Sequence, residues 1–135
     1  MKAVVDTNVT AYYVLGTPEF DAEVREFWRR IEDPIAPALW EAELANVLWM
    51  SVRGGVLSKE DAPTKLRLAA RLGIHSVSVR KLWQGALQRA LESGVAVYDT
   101  LFVELADREQ RPLATFDNKV LATYPEIAKR PKDLT

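Results

Sequence analysis

The sequence predicts an α/β fold in which a parallel sheet of short strands carries helices on its faces. Short apolar runs such as AVV at 3–5 and IA at 35–36 alternate with longer stretches whose apolar residues recur at helical spacing. This alternation is typical of parallel strands that are joined through helices. The 135 residues contain no repeat, linker-like stretch or low-complexity segment, so we expect one domain over residues 1–135.

Four strands are expected, because each is a short apolar run bounded by turn-forming or breaking residues. The first run has no polar residue after Lys2, as is typical of a strand buried on both faces. In chain order the expected strands are 2–5, 35–37, 75–77 and 112–116. The polar tail after residue 123 is assigned no element.

Helices are expected where apolar residues recur every three or four positions and a capping or breaking residue marks an end. Pro34 ends one helix, Gly54 and Gly73 end two more, and Ser78 and Asp117 begin two others. A helix-like pattern begins directly after Asp6. The later expected helices are, in chain order, 18–32, 38–53, 58–72, 78–93, 99–110 and 117–123. The clearest apolar stripe lies in 78–93 and consists of Val79, Leu82, Trp83, Ala86, Leu87, Ala90 and Leu91.

Composition excludes several classes of function. The chain has no cysteine, which excludes disulfides and thiolate chemistry, and its single His75 excludes a histidine-rich metal site. A bound metal would therefore have oxygen ligands, which favours Mg²⁺ or Mn²⁺ over Zn²⁺. With 18 basic and 19 acidic residues the net charge is -1, which neither indicates nor excludes a nucleic-acid partner. Residues 1–15 lack a signal-peptide pattern and no apolar run approaches the ~18 residues of a membrane span, so we expect a cytoplasmic protein.

Three aspartates share one context, because Asp6, Asp99 and Asp117 each end an apolar stretch where a helix begins. Taken singly, each is explained as a helix N-cap. Since the carboxyl ends of parallel strands lie along one edge of a sheet, however, Asp6 and Asp117 should lie close together there. Clustered carboxylates repel one another and resist ionisation, so such a cluster favours a bound cation. Capping and metal binding are compatible, because a carboxylate has two oxygens.

A fourth acid comes from the segment WEAELANVLW. Glu41 and Glu43 are two residues apart on a helix, about 200° of rotation, and therefore face opposite ways. Glu43 lies one turn before Val47 and borders the packed face, whereas Glu41 points toward solvent. Of the two, Glu43 is the residue expected to reach a cleft.

Four blocks in this order resemble the PIN domain and, more closely, the toxin ribonucleases of VapBC toxin–antitoxin pairs. The blocks are VVDTNV, LWEAELANVL, VYDTLFVELA and LATFDNKV, and the resemblance covers essentially the whole chain. It implies a three-layer α/β/α fold with a short, mainly parallel central sheet. It also implies a metal-dependent endoribonuclease that acts on structured RNA, such as tRNA or ribosomal RNA.

The resemblance further implies the residues of the site. The acidic quartet is Asp6, Glu43, Asp99 and Asp117. The three aspartates would be direct or water-mediated ligands of Mg²⁺ or Mn²⁺, Glu43 a ligand or general base, and metal-activated water the attacking group. Asn8 and Thr115 match polar positions that would orient the water or the carboxylates. Some PIN domains have a further acid about four residues beyond the last Asp, where this chain has Leu121, which makes a fully ligated second metal less certain.

Basic residues near these segments are candidate RNA contacts. Arg108, Arg111 and Lys119 lie close in sequence to Asp99 or Asp117, although solvated surface charge is the alternative for each. RNA binding that uses them should weaken steeply with salt.

The resemblance also implies partners, namely a homodimer and a VapB-type antitoxin whose tail wraps the early helices, with a larger assembly when the antitoxin is bound. An acidic cleft would attract an antitoxin Arg or Lys in place of the metal. Trp28 and Trp83 fall on helix stripes and are assigned to the core. Trp40 or Trp49 is hypothesised to line a dimer or antitoxin surface, with core packing as the alternative.

Two other functions stay open. In a phosphotransfer protein Asp6 would be the nucleophile, but haloacid-dehalogenase-like phosphatases have a second Asp where this chain has Asn8, and the central Asp of a receiver is not evident. A PIN-like binding module without catalysis, acting as a scaffold or an RNA-binding subunit, is the second alternative. The intact acidic quartet argues against it.

Overall fold

A sheet of five short parallel strands forms the centre of the protein, in the order β3-β2-β1-β4-β5. The computed structural model describes residues 1–135. In chain order the elements are β1 (Val4–Val5), α1 (Thr7–Leu15), α2 (Asp21–Arg30), β2 (Ile35–Pro37), α3 (Leu39–Arg53), α4 (Asp61–Ala70), β3 (His75–Val77), α5 (Trp83–Ser93), α6 (Val97–Glu109), β4 (Leu113–Ala114), α7 (Asn118–Thr123) and β5 (Ala128–Lys129). The predicted α/β fold with a parallel sheet is confirmed.

The central strand β1 is buried on both faces, as predicted. Val4 and Val5 are 0% and 1% exposed and belong to two separate apolar clusters, because successive strand residues point to opposite faces. Residues of α3, α4, α5, α6 and α7 pack in the Val4 cluster, whereas those of α2 pack in the Val5 cluster. Helices therefore cover both faces of the sheet, which is a three-layer arrangement.

The strand β5 lies in the tail that was assigned no element, and this prediction was wrong. Leu113 and Ala114 of β4 pair with Ala128 and Lys129, so β5 extends the sheet at its edge. Leu134, near the end of the tail, is 5% exposed and packs against the core. Two residues carry no periodicity of their own, so the strand forms only because the edge of β4 offers it hydrogen bonds.

The helix expected at 78–93 begins later than predicted. A single 3₁₀ turn covers Val79–Lys81, the Ser78 side chain makes no capping hydrogen bond, and α5 starts at Trp83. Only part of the predicted apolar stripe is buried: Leu82 is 1% exposed, whereas Trp83 is 51% exposed. Assigning Trp83 to the core was therefore wrong, because α6 covers a narrower face of α5 than the stripe suggests.

The other tryptophans differ in burial. Trp28 is partly buried and packs against the Val5 cluster. Trp40 is 7% exposed and donates from its indole Nε1 to the Ser76 hydroxyl at 2.9 Å, so it belongs to the interior. Trp49, at 54% exposed, is the surface member of the Trp40/Trp49 pair.

No helix combines the length and the apolar character that a membrane crossing requires.

Candidate acidic active site

Asp6 lies at the carboxyl end of β1 and holds two neighbouring segments together. One of its carboxylate oxygens accepts a hydrogen bond from the backbone N–H of Thr7 at 2.7 Å, which caps α1. The other accepts from the hydroxyl of Thr115 at 2.7 Å, just beyond the end of β4. Because β1 and β4 are parallel neighbours, the two strand ends lie side by side. The carboxylate is 7% exposed.

Asp117 follows β4 at the same edge and caps α7. Its carboxylate accepts from the backbone N–H of Val120 at 3.0 Å, and its own N–H donates to the Thr115 hydroxyl at 3.0 Å. Asn8 joins the two strand ends as well, since its side-chain oxygen accepts from the Phe116 N–H at 3.2 Å. Thr115, which is fully buried, and Asn8 thus fix the relative positions of Asp6 and Asp117.

Glu43 reaches the same place from α3. Its carboxylate accepts a hydrogen bond from the Thr7 hydroxyl at 2.7 Å, which links α3 to the first turn of α1. Glu41 is exposed and lies outside this group, with a long contact of 3.4 Å from the Ser76 hydroxyl. The structure therefore places Glu43 toward the strand ends and Glu41 away from them, as helical geometry indicates for residues two positions apart.

Asp99 contributes from the first turn of α6, which begins two residues earlier than predicted. Val97 and Tyr98 are helical, so Asp99 is not the residue before the helix and does not cap it. A carboxylate in the first helical turn still lies at the positive end of the helix dipole. The apolar segment before Asp99 is therefore a loop and a helix start, not a strand.

These four acids line a single cavity of about 340 Å³ at the carboxyl edge of the sheet. They come from four different segments, around β1, α3, α6 and β4. The remaining residues around the cavity are Thr7, Asn8, Ala11, Tyr12 and Val47. Of the residues predicted to orient the site, Asn8 lines the cavity. Thr115 does not line it, but its hydroxyl donates to the Asp6 carboxylate and accepts from the Asp117 N–H.

The cavity raises the pKa of three of its acids and so disfavours their ionisation. Burial, with the nearby charges of Asp99 and Glu43, raises the pKa of Asp6 to about 7, although the Thr115 and Thr7 hydrogen bonds partly oppose this. Burial also raises the pKa of Glu43 and that of Asp99, and the charge of Asp117 adds to the rise at Asp99. Lys119 lowers the pKa of Asp99 and is the one basic group that acts on these three acids. Perturbed carboxyl groups in a cleft are typical of functional sites.

The donor set of the cavity consists of carboxylate, hydroxyl and amide oxygens, which are the ligands that Mg²⁺ and Mn²⁺ prefer. As the side chains stand, no three His, Cys, Asp or Glu residues form a group that could hold a metal ion. The carboxylates thus line the same cavity, but their oxygens are not grouped around one common position. In ligand type they fit a divalent cation, which would favour the ionised form of Asp6, Glu43 and Asp99, the three acids whose pKa is raised.

The three basic residues expected near RNA have different positions. Lys119 lies beside the cavity and donates to the Gly94 carbonyl at 3.0 Å. Arg108 donates to Glu104 and to the Lys81 carbonyl, both at 2.6 Å. Arg111 donates to Asp33 and lines a different concavity. Only Lys119 is therefore brought to the acidic cavity.

Two residues of the cavity were missed in the sequence. Thr7 lies between Asp6 and Asn8 and connects α1 to Glu43. Tyr12 lies one turn after Asn8 on α1. For Tyr12 the sequence signal was its i+4 spacing from Asn8, which places both on one side of the helix.

Comparisons with known proteins agree with this arrangement. Residues 3–126 match the family model of the PIN domain. The chain is 31% identical over 132 residues to Ribonuclease VapC3 from Pyrobaculum aerophilum, which covers 94% of this chain and 98% of the relative. The fold is similar to that in the crystal structure of VapBC2 from Rickettsia felis bound to a DNA fragment from their promoter. The TM-score is 0.67 at 16% identity, covering 96% of this chain and 98% of that chain.

Proposed function

The chain belongs to the PIN domain family and to its VapC-type members, and from this membership we propose that it is a metal-dependent endoribonuclease, the toxin of a type II toxin–antitoxin pair. Both the family resemblance and the fold that it implied are confirmed. The observation that carries the proposed activity is the convergence of Asp6, Glu43, Asp99 and Asp117 on one cavity. The substrate would be structured RNA, such as tRNA or ribosomal RNA.

Asp6, Asp99 and Asp117 would hold Mg²⁺ or Mn²⁺, either directly or through water. When bound, such a cation neutralises charge on the phosphodiester and lowers the pKa of a coordinated water. Asp6 stays in place because the Thr7 N–H and the Thr115 hydroxyl each bind one of its oxygens. Asn8 and Thr115 keep the ends of β1 and β4 at a constant distance, so the aspartates face the substrate together.

Glu43 would be a further ligand or the general base. Burial raises its pKa above the usual value of a glutamate, which makes its carboxylate a better proton acceptor than an exposed one. The Thr7 hydroxyl donates to this carboxylate and so fixes its position. No cysteine is present as an alternative nucleophile, and the single His75 lies on β3, exposed and outside the cavity.

The activity is tested with protein purified free of antitoxin and incubated with total RNA, with Mg²⁺ or Mn²⁺ and with a chelator. We expect discrete fragments that require the metal, and Asp6→Asn should lower the rate at least ~100-fold, since the charge stabilisation supplied by a metal amounts to several kcal/mol. Glu41→Gln is the matched control, because Glu41 lies on the same helix as Glu43 but outside the cavity, and it should cleave normally.

Other results would identify the alternatives. RNA that is bound but not cut in either metal would indicate a silent PIN-like module. An acid-labile phosphate on Asp6 would indicate phosphotransfer. Cleavage that survives both the chelator and Asp6→Asn would contradict the proposed role of the acidic quartet.

The proposed partners are a VapB-type antitoxin, since a similar solved structure is a VapBC complex, and a second copy of the chain, which the family resemblance implies. An antitoxin Arg or Lys could also occupy the acidic cavity in place of the metal. Trp49 lines an apolar groove of about 510 Å³ between α3 and α4, and the Arg53 guanidinium lies over its ring at 4.9 Å. We expect Trp49 to be covered by the antitoxin or by the second copy.

Trp49→Ala should therefore weaken antitoxin binding or dimerisation about tenfold or more, as is typical of a central aromatic contact. Antitoxin affinity is measured by calorimetry and dimer mass by light scattering. Trp83→Ala, which removes an equally exposed indole from α5, is the control for antitoxin affinity. If Trp49→Ala leaves both affinity and mass unchanged, this surface assignment is wrong.

A further inference from the structure

The ring of Tyr12 is held rigidly at the wall of the acidic cavity. It stacks on Phe20 with ring centroids 4.3 Å apart and an interplanar angle of 20°, and it meets Phe116 edge-on at 5.2 Å. Behind this cluster the Arg130 guanidinium lies over Phe116 at 4.7 Å. Such packing fixes both side-chain torsions of the tyrosine, so its hydroxyl has a defined position before any ligand binds.

That hydroxyl has no partner within the chain. Two hydroxyl side chains line the cavity, and the one on Thr7 donates to Glu43 at 2.7 Å. The enclosed side-chain atoms without a partner are Trp28 Nε1 and Arg30 Nε, so the Tyr12 hydroxyl is open to solvent. A tyrosine with a packed ring and an unpaired hydroxyl beside a cavity can donate to an incoming ligand.

The cavity needs such a donor. Ionised carboxylates only accept hydrogen bonds, and the oxygens of an RNA backbone are acceptors that carry negative charge. The side-chain oxygen of Asn8 accepts from the Phe116 N–H, and its NH₂ group makes a 3.4 Å contact with the Thr115 hydroxyl, which uses one of its two N–H donors. Besides the second Asn8 N–H, the Tyr12 hydroxyl is the neutral side-chain donor in the lining of the cavity that has no acceptor within the chain.

We propose that Tyr12 is a substrate-positioning residue, whose hydroxyl donates a hydrogen bond to a sugar–phosphate oxygen of the nucleotide next to the cleaved bond. This inference rests on the proposed ribonuclease activity. It gives α1, the helix that Asp6 caps, a direct contact with RNA. The hydrogen bond would hold the backbone in register with the carboxylates, and it requires no movement of the packed ring.

The test is Tyr12→Phe, which removes the hydroxyl but keeps the ring in its cluster. Tyr13→Phe is the matched control, because it also removes one tyrosine hydroxyl from α1. The ring of Tyr13 packs against Trp28 and Arg25, away from the cavity. With an oligonucleotide that contains one mapped cleavage site, Tyr12→Phe should raise KM roughly three- to tenfold, as expected for the loss of one net hydrogen bond. The kcat and the melting temperature should stay close to those of the wild type.

A binding measurement separates this inference from the proposed function. Fluorescence anisotropy of the same oligonucleotide, with Ca²⁺ in place of Mg²⁺ or Mn²⁺, should show a similar three- to tenfold weakening for Tyr12→Phe and none for Tyr13→Phe. If the wild-type protein binds the oligonucleotide but does not cleave it, the proposed function is contradicted. The Kd values of Tyr12→Phe and Tyr13→Phe still test the role of Tyr12 in that case. Wild-type KM and Kd in Tyr12→Phe, or an equal loss in Tyr13→Phe, would overturn the inference.

An oligonucleotide with 2′-deoxyribose on each side of the cleaved bond identifies the acceptor. If the 2′-hydroxyl accepts the hydrogen bond, the difference in Kd between wild type and Tyr12→Phe disappears with the deoxy substrate. If a phosphate oxygen accepts it, the difference persists. Both results support a backbone contact by Tyr12, and they distinguish its two possible atoms.

Discussion

Two sets of shielded carboxylates in this protein meet opposite electrostatic surroundings. Glu104 of α6 accepts hydrogen bonds from Arg89 at 2.9 Å and from Arg108 at 2.6 Å, and Glu23 of α2 accepts from Arg130 at 2.6 Å. These guanidinium groups lower the pKa of Glu104 and that of Glu23, although burial alone would raise both. Each of these acids is thus stable in its ionised form.

Three of the four acids in the cavity, Asp6, Glu43 and Asp117, accept hydrogen bonds, and none of these comes from a guanidinium. Asp6 and Glu43 accept from threonine hydroxyls and a backbone N–H, which are neutral donors, and their pKa values are raised. Lys119 is the one basic residue that acts on these acids, and it lowers the pKa of Asp99 only. The difference supports the proposal that a charge from outside the chain, either a metal ion or the basic side chain of a partner, balances these acids.

The cavity acids and the arginine-paired acids should differ most in how they make the free energy of unfolding, measured without metal, depend on pH. The pKa of Asp6 is about 7 in the folded chain and 3.8 in the unfolded chain, so between these values the folded state binds a proton that the unfolded state has lost. The contribution of Asp6 to the free energy of unfolding should therefore fall as pH rises from about 4 to 7, by up to about 1.4 kcal/mol per pH unit. Urea denaturation in the presence of a chelator, from pH 4.5 to 8, measures this slope.

Asp6→Asn should flatten that slope, because an amide does not titrate and its oxygen can still accept from the Thr7 N–H. Above pH 7 the metal-free variant should be at least as stable as the wild type, and added Mn²⁺ should stabilise the wild type more than the variant. The exposed Asp61→Asn is the control and should keep the wild-type slope. A large loss of stability in Asp6→Asn would mean that capping by the carboxylate outweighs charge repulsion.

The sequence predicted the strand-end acids because their positions depend on local rules. Asp6 and Asp117 follow apolar strands and cap the next helices, and parallel strands bring their carboxyl ends to one edge. Glu43 could be separated from Glu41 because two residues on a helix face opposite ways. These steps need only periodicity and capping, which a single sequence contains.

The remaining features depend on contacts between distant segments. The run before Asp99 is as apolar as a strand, but Thr100 in the next turn donates to the Ala86 carbonyl of α5 at 2.7 Å, and the segment is helical from Val97. The position of Tyr12 depends on Phe20 and Phe116, which are 8 and 104 positions away in the sequence. The spacing from Asn8 indicates only which side of α1 Tyr12 occupies, and no local pattern reports the packing of its ring or the early start of α6.

The smaller expected effect is at Glu104, where removal of the charge should have the opposite consequence to that at Asp6. Glu104→Gln keeps the shape of the side chain but takes the ionised acceptor from Arg89 and Arg108, and Gly85 of α5 packs directly against this carboxylate. We expect a loss of about 1–2 kcal/mol in the free energy of unfolding, measured by urea denaturation at pH 7.5, since charged hydrogen bonds are lost at a partly buried site.

Glu41→Gln is the control for this change, because Glu41 is exposed, and it should shift the free energy of unfolding by less than about 0.5 kcal/mol. Both substitutions replace a carboxylate with an amide on a helix, so their difference isolates the pairing with arginine. If Glu104→Gln were as harmless as Glu41→Gln, or stabilised the protein as Asp6→Asn should, then arginine pairing would not be what distinguishes the two sets of acids.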